Sequence, residues 1–147
     1  MNGAQDTPAG ARGIDAGRVS GLLARARYVQ LTTFRRDGRA VPTPVWVGRL
    51  PDGRLVAVTE AGLGKVKRIR REPRVQLVPC TVRGTPRGRP VEARAELLGD
   101  DALPAADAAL VAAYGWQYRT YRAFERLLQR LGRFDGQRVA IALTVTG

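Results

Sequence analysis

Histidine is absent from the 147 residues. That removes the commonest general base, the Ser-His-Asp triad and most zinc sites. A single cysteine, Cys80, rules out an internal disulfide and a thiolate metal cluster, so no metal site is expected. An enzyme made from what remains would leave the hard chemistry to a bound cofactor. Long apolar runs are missing as well. None approaches the ~20 residues that span a bilayer, and the opening MNGAQDTPAGARG lacks the apolar core of a secretory signal. A cytoplasmic protein with no membrane partner is expected. Aromatic residues make up 6% of the chain, and only Tyr28, Phe34 and Trp46 fall in its strand-rich part. Those are too few stacking platforms for a nucleic-acid-binding barrel, so nucleic acid is disfavoured as a partner.

Positive charge is plentiful: 25 basic residues against 13 acidic ones give a net charge of +12. Such an excess points to anionic partners, whether nucleic acid, a membrane surface or a phosphorylated small molecule. A composition rich in Arg, Ala, Gly and Pro together offers a plainer reading of the scattered arginines. It does not account for lysine. The only two lysines are Lys65 and Lys67, in one short stretch. Lysine is a compact point charge on a flexible stem, suited to a phosphate where a planar guanidinium would not fit.

The length suits one domain. Residues 1–13 are polar and Gly/Pro-rich and read as a disordered tail, with the domain over 14–147. Ile14, Val19, Leu22 and Leu23 mark a helix. YVQLTTFRRDGRAVPTPVWVGRLPDGRLVAVTE reads as three strands separated by two Asp-Gly turns, a hairpin signal. GLGKVKRIRREP is a short helix that must stop before Pro73. RVQLVPCTVRG and PVEARAELLG are strands, two helices follow with Leu127, Leu128 and Leu131 on an apolar stripe, and RVAIALTVT is the last strand. Six local antiparallel strands in a small mainly β (α+β) domain suggest a barrel with peripheral helices.

Two stretches carry chemistry. TEAGLGKVKRIRR, residues 59–71, runs from a strand end through glycines into a helix start. Such a junction offers free N–H groups and the positive end of a helix dipole to an anion. It is not a Walker A loop, since Thr59 stands where the first glycine belongs and Val66 where the Ser/Thr belongs. The alternative is a solvated basic helix face. VPTPVWV, residues 41–47, alternates like a strand yet carries Pro42 and Pro44, which confines it to an edge. Val41, Thr43, Val45 and Val47 share one face; Pro42, Pro44 and Trp46 share the other. An edge strand with a core tryptophan is the alternative there. Cys80 reads as buried and inert, and RGTPRGRP as a solvated hairpin.

Together, YVQLTTFRRDGRAVPTPVWV and TEAGLGKVKRIRREPRVQLVPCTVRG resemble the pyridoxamine 5'-phosphate oxidase-like split-barrel flavoproteins, above all the actinobacterial branch that uses the deazaflavin coenzyme F420. The resemblance covers roughly residues 28–98. It implies a six-stranded antiparallel split β-barrel, a homodimer with cofactor at the interface, and an oxidoreductase passing hydride to a small unsaturated or conjugated substrate. It places the flat ring against Thr43, Pro44, Val45 and Trp46, and the phosphate at Thr59, Lys65 and Arg68, with Lys67 and Arg71 less firmly matched. Trp116 and Tyr118 are candidates for contributions from the partner. An FMN-dependent relative, or a cofactor-binding protein without turnover, remains the alternative.

Overall fold

The computed structural model describes residues 9–133 and 137–146. Strands β1 (Tyr28–Phe34) and β2 (Ala40–Val45) form an antiparallel hairpin, with Phe34 opposite Ala40 and Val29 opposite Val45. The first Asp-Gly pair turns it. Gly38 sits at φ 87°, and the Asp37 carboxylate accepts the Arg39 N–H at 3.0 Å. The second pair repeats the construction between β3 (Gly48–Arg49) and β4 (Leu55–Glu60): Gly53 sits at φ 92° and Asp52 accepts the Arg54 N–H at 3.0 Å. Side chains rarely tolerate that backbone conformation, so glycine is required at both turns.

With β5 (Arg74–Cys80), β6 (Val91–Leu97) and β7 (Arg138–Val145) the sheet has seven antiparallel strands, ordered β2-β1-β5-β6-β7-β4-β3. The sequence suggested six. The seventh arises because VPTPVWVGRL is not one strand: it breaks at Trp46–Val47 into β2 and β3. These two strands lie at opposite edges of the sheet. Only two residues join them, a reach of about 11 Å, so the sheet must curl until its edges meet at this corner. No ladder links β2 to β3. The result is a barrel closed by covalent chain and split in its hydrogen bonding. Pro42 and Pro44 are exposed on the β2 edge, opposite Thr32 and Gln30. Their missing N–H groups cost no ladder bond there.

Period-two alternation divides β4 and β7 between two apolar clusters. Leu55, Ala57, Ile141, Leu143 and Val145 point inward with Val29, Leu31, Val75 and Leu77. Val56, Ala140 and Ala142 point outward onto Ala106 and Ala109 of helix α3 (Leu103–Tyr114). Both faces are covered, which is why LVAV and VAIAL read as unbroken apolar runs. Helix α1 (Ala9–Arg25) adds Leu23 to the inner cluster. It begins at Ala9 and so takes in residues 9–13 of the segment expected to be a tail; residues 1–8 lie outside the described residues. Helix α2 (Gly64–Arg71) buries Val66 and Ile69 and ends before Pro73 as expected. Cys80 is buried, and burial pushes its thiol pKa up.

Helix α4 (Trp116–Arg130) follows α3 directly. Asp107 ties the two helices to β7: it accepts both Nη atoms of Arg138 at 2.9 and 3.0 Å and the Tyr118 hydroxyl. Burial disfavours the Asp107 carboxylate, but the Arg138 and Tyr118 hydrogen bonds outweigh it and hold the pKa below its ordinary value.

β3 and α3 approach closely at Gly48. A Cβ on Gly48 would lie 2.7 Å from the carbonyl carbon and oxygen of Ala109. Neither is a flexible side-chain end, so Gly48→Ala must push α3 off the barrel. Overpacking of this kind costs about 1–3 kcal/mol. Thermal denaturation should show a clearly lowered Tm; an unchanged Tm would mean that α3 yields without cost.

Candidate functional site

The corner that closes the barrel also builds the site. Val47 is buried, and its N–H donates to the Tyr114 hydroxyl at 3.0 Å. The Tyr114 ring stacks on Trp46 at 5.0 Å between centroids, with planes 19° apart. Tyr121 meets Trp46 edge-on at 5.6 Å, and Tyr118 lies tilted at 6.3 Å. Each such contact adds roughly 0.5–1.5 kcal/mol beyond burial. Tyr114 ends α3 and Tyr118 and Tyr121 stand on α4, and the break at Gly115 between the helices brings all three rings to Trp46.

Trp46, Tyr118 and Tyr121 line a cleft of about 400 Å³, with Tyr114 backing Trp46 from outside the lining. Pro44, Val45 and Trp46 enter it from the β2 edge. Val58, Thr59 and Glu60 come from the end of β4, and Leu63 and Lys65 from the start of α2. Arg138 and Glu125 close the far side. Five residues singled out in the sequence therefore converge here: Pro44, Val45, Trp46, Thr59 and Lys65. Lys65 is half-buried and has no carboxylate partner among the described residues. Burial, and then the charge of Arg68, lowers its pKa. A cation held this way gains from any anion that enters.

The other three expected residues lie outside the cleft lining. Thr43 turns its hydroxyl to the Leu31 carbonyl at 3.4 Å. Lys67 and Arg68 line a second depression of about 420 Å³ with Arg35, Arg36 and Arg71. Two of its arginines are anchored: Arg68 Nε donates to the Thr33 hydroxyl at 2.7 Å, and Arg71 Nη2 to the Phe34 carbonyl at 2.6 Å. The mutual repulsion of Lys65 and Arg68 couples the two depressions electrostatically. Arg74, next along the chain, is held bidentate by Glu92 at 2.9 and 3.0 Å, with its guanidinium 4.5 Å from the Phe34 ring centroid.

One of the two acids lining the cleft, Glu125, is paired internally. Glu125 is buried and accepts Arg122 Nη1 at 3.0 Å. Burial and Asp107 drive the Tyr118 pKa far above the ordinary tyrosine value. Burial and Glu125 raise that of Tyr121. Neither hydroxyl is a ready acid. Among the described residues no group of three His, Cys, Asp or Glu side chains could hold a metal ion.

Solved structures share the fold. The protein Atu2129 of unknown function from Agrobacterium tumefaciens str. C58 superposes with a TM-score of 0.66 at 20% identity, over 97% of this chain and 58% of its own. The chain thus spans under two thirds of that protein's length. The conserved hypothetical protein Rv2991 from Mycobacterium tuberculosis gives 0.62 at 24% identity, over 88% of this chain and 79% of its own. The heme storage protein HutZ from Vibrio cholerae gives 0.59 at 11% identity, over 88% and 89%. No curated protein sequence matches significantly. The family model for pyridoxamine 5'-phosphate oxidase, in contrast, matches residues 17–147, from α1 through β7. With the split barrel and nearly the whole domain matched, the chain belongs to the pyridoxamine 5'-phosphate oxidase family.

Proposed function

We propose that this protein is an oxidoreductase that binds a flavin-type cofactor in the cleft, with coenzyme F420 as that cofactor and FMN as the alternative. The observation that carries the reading is Lys65: a half-buried cation without a carboxylate partner among the described residues, in the same cleft as Thr59 and the proline-bearing edge of β2. The residues present fit a phosphate-bearing flat ring. Lys65 and Thr59 would hold the phosphate. Pro44, Val45 and Trp46 would give the ring a rigid edge, with Trp46 fixed by Tyr114. When bound, such a ring supplies hydride transfer. The chain's part is to hold it, keep water from the apolar Val58 and Leu63 side, and position a small unsaturated or conjugated substrate. A carrier without turnover is the remaining non-enzymatic reading. Heme storage, the role of HutZ, is disfavoured by the absence of histidine, the usual axial ligand.

The finer choice of cofactor rests on charge. Coenzyme F420 carries an acidic glutamate chain beyond its phosphate, whereas FMN ends there. Arg35, Arg36, Lys67 and Arg71 line a depression that adjoins Lys65 through Arg68, and Arg70, Arg83, Arg87 and Arg89 are exposed. Arg74 is committed to Glu92 and drops out of this set. A homodimer completes the proposal. Leu63, Val82 and Tyr121 are exposed apolar residues lining the cleft, and a second protomer would cover them.

Replacing Lys65 with alanine should weaken cofactor binding by about 1.5–3 kcal/mol, as for a lost hydrogen bond to a charged group. Arg68→Ala should cost less, because its guanidinium is held by Thr33. Fluorescence titration of both variants checks this, and unchanged affinity for Lys65→Ala would remove the phosphate site. The deazaflavin should bind more tightly than FMN, with the gap closing as salt shortens the Debye length below ~10 Å. Titrating both cofactors at low and high salt decides it; tighter FMN binding at low salt would select the flavin. Light scattering at micromolar concentration should report a dimer burying about 2,000 Å² or more, and a cofactor-loaded monomer would contradict the shared site.

A further inference from the structure

Helix α4 leaves a second apolar surface unexplained. Trp116, Phe124, Leu127 and Leu131 are 73%, 57%, 51% and 60% exposed. At 3.6 residues per turn they fall within an arc of about 80°. The cleft takes a different arc of the same helix, where Tyr118 and Glu125 are buried. Along one edge of the exposed apolar arc run Arg119, Arg126 and Arg130, all solvent-exposed, and Arg133 follows just past the helix end. None of these arginines has a carboxylate partner among the described residues. The one acid on the helix, Glu125, is buried and bound to Arg122.

We infer that this face of α4 docks on the surface of an anionic lipid bilayer. A continuous patch of large exposed apolar side chains marks an interaction site, and its charged border decides the occupant. A second copy packed face to face with its helix antiparallel would set three arginines against three, in a chain already at +12. An occupant with an apolar interior and a negative surface fits both halves. Trp116, Phe124, Leu127 and Leu131 sink to the headgroup–acyl boundary, while the guanidinium row meets lipid phosphates. The helix lies on the membrane: no helix among the described residues is long and apolar enough to cross one. This revises the expectation of no membrane partner, which rested on the lack of a spanning run.

Flotation with vesicles tests the inference on the full chain. The protein should float with phosphatidylcholine vesicles containing phosphatidylglycerol, far less with pure phosphatidylcholine, and less as salt rises. A Phe124→Ser/Leu127→Ser variant keeps every charge and should bind at least about tenfold more weakly, since two apolar side chains no longer leave water. Both positions are exposed, so circular dichroism and Tm should match the parent. Arg126→Gln/Arg130→Gln should lose roughly tenfold on the anionic vesicles. Failure of the parent to float would overturn the inference. So would equal binding by the serine variant, which would reduce the effect to diffuse charge. A serine variant that loses a dimer seen in the parent, with no vesicle binding by either, would assign the face to a second copy.

Discussion

The two-residue link Trp46–Val47 constrains the rest of the molecule. It joins strands that hydrogen bonding places at opposite edges of the sheet, so the sheet can satisfy the covalent chain only by rolling up. The link cannot hydrogen-bond as a ladder, and the corner would leave the Val47 N–H buried and unpaired. Tyr114 supplies the acceptor. An unmet buried donor costs about 1–3 kcal/mol, so the hydroxyl does more than decorate the cleft. The same ring holds Trp46 in place. Closure of the barrel and construction of the site are therefore one event, and α3 must be seated on β3 for either to hold. The 2.7 Å approach at Gly48 is what seating α3 requires.

Charge is distributed by a second rule. Five acids are committed locally: Asp107 to Arg138, Glu125 to Arg122, Glu92 to Arg74, and Asp37 and Asp52 to the arginines of their own turns. With 13 acids against 25 bases, a remainder of unpaired cations is unavoidable. The fold collects part of that remainder on α2 and around the cleft and part along α4. Surface pairs of this kind add little stability, about 0–1 kcal/mol each. Their larger consequence is negative: they leave Lys65 without a carboxylate partner among the described residues.

Family membership and activity stand on different ground. The split barrel hosts proteins of unknown function and a heme storage protein among the structures it resembles, and a fold does not dictate what its clefts do. What narrows the reading is the site itself, namely the proline-bearing edge, the pinned tryptophan and the half-buried lysine. Histidine is absent from the sequence, and no group of three metal-ligating side chains occurs among the described residues.

Local chemistry was fully legible in the sequence. Asp-Gly between alternating segments demanded hairpins, Pro73 ended α2, and prolines confined β2 to an edge, because each of these is decided within a few residues of backbone. The clustering of Pro44, Val45, Trp46, Thr59 and Lys65 was legible through resemblance. Other features belong to tertiary structure. The break at Trp46 had no local signal, since VPTPVWV alternates without interruption; only the arrangement of seven strands puts its halves at opposite edges. Thr43, Lys67 and Arg68 looked equivalent to their neighbours in the chain. They part from the cleft because Thr43 lies farther along β2 with its hydroxyl on the Leu31 carbonyl, Lys67 sits on another side of α2, and the Arg68 guanidinium is drawn to Thr33. The three tyrosines join Trp46 across some 70 positions, a distance that spacing alone cannot bridge. The sequence by itself thus determined the strands, the turns, the excess of positive charge and the lack of histidine chemistry. Tertiary structure decided which cations share a cleft, because that depends on how the sheet closes.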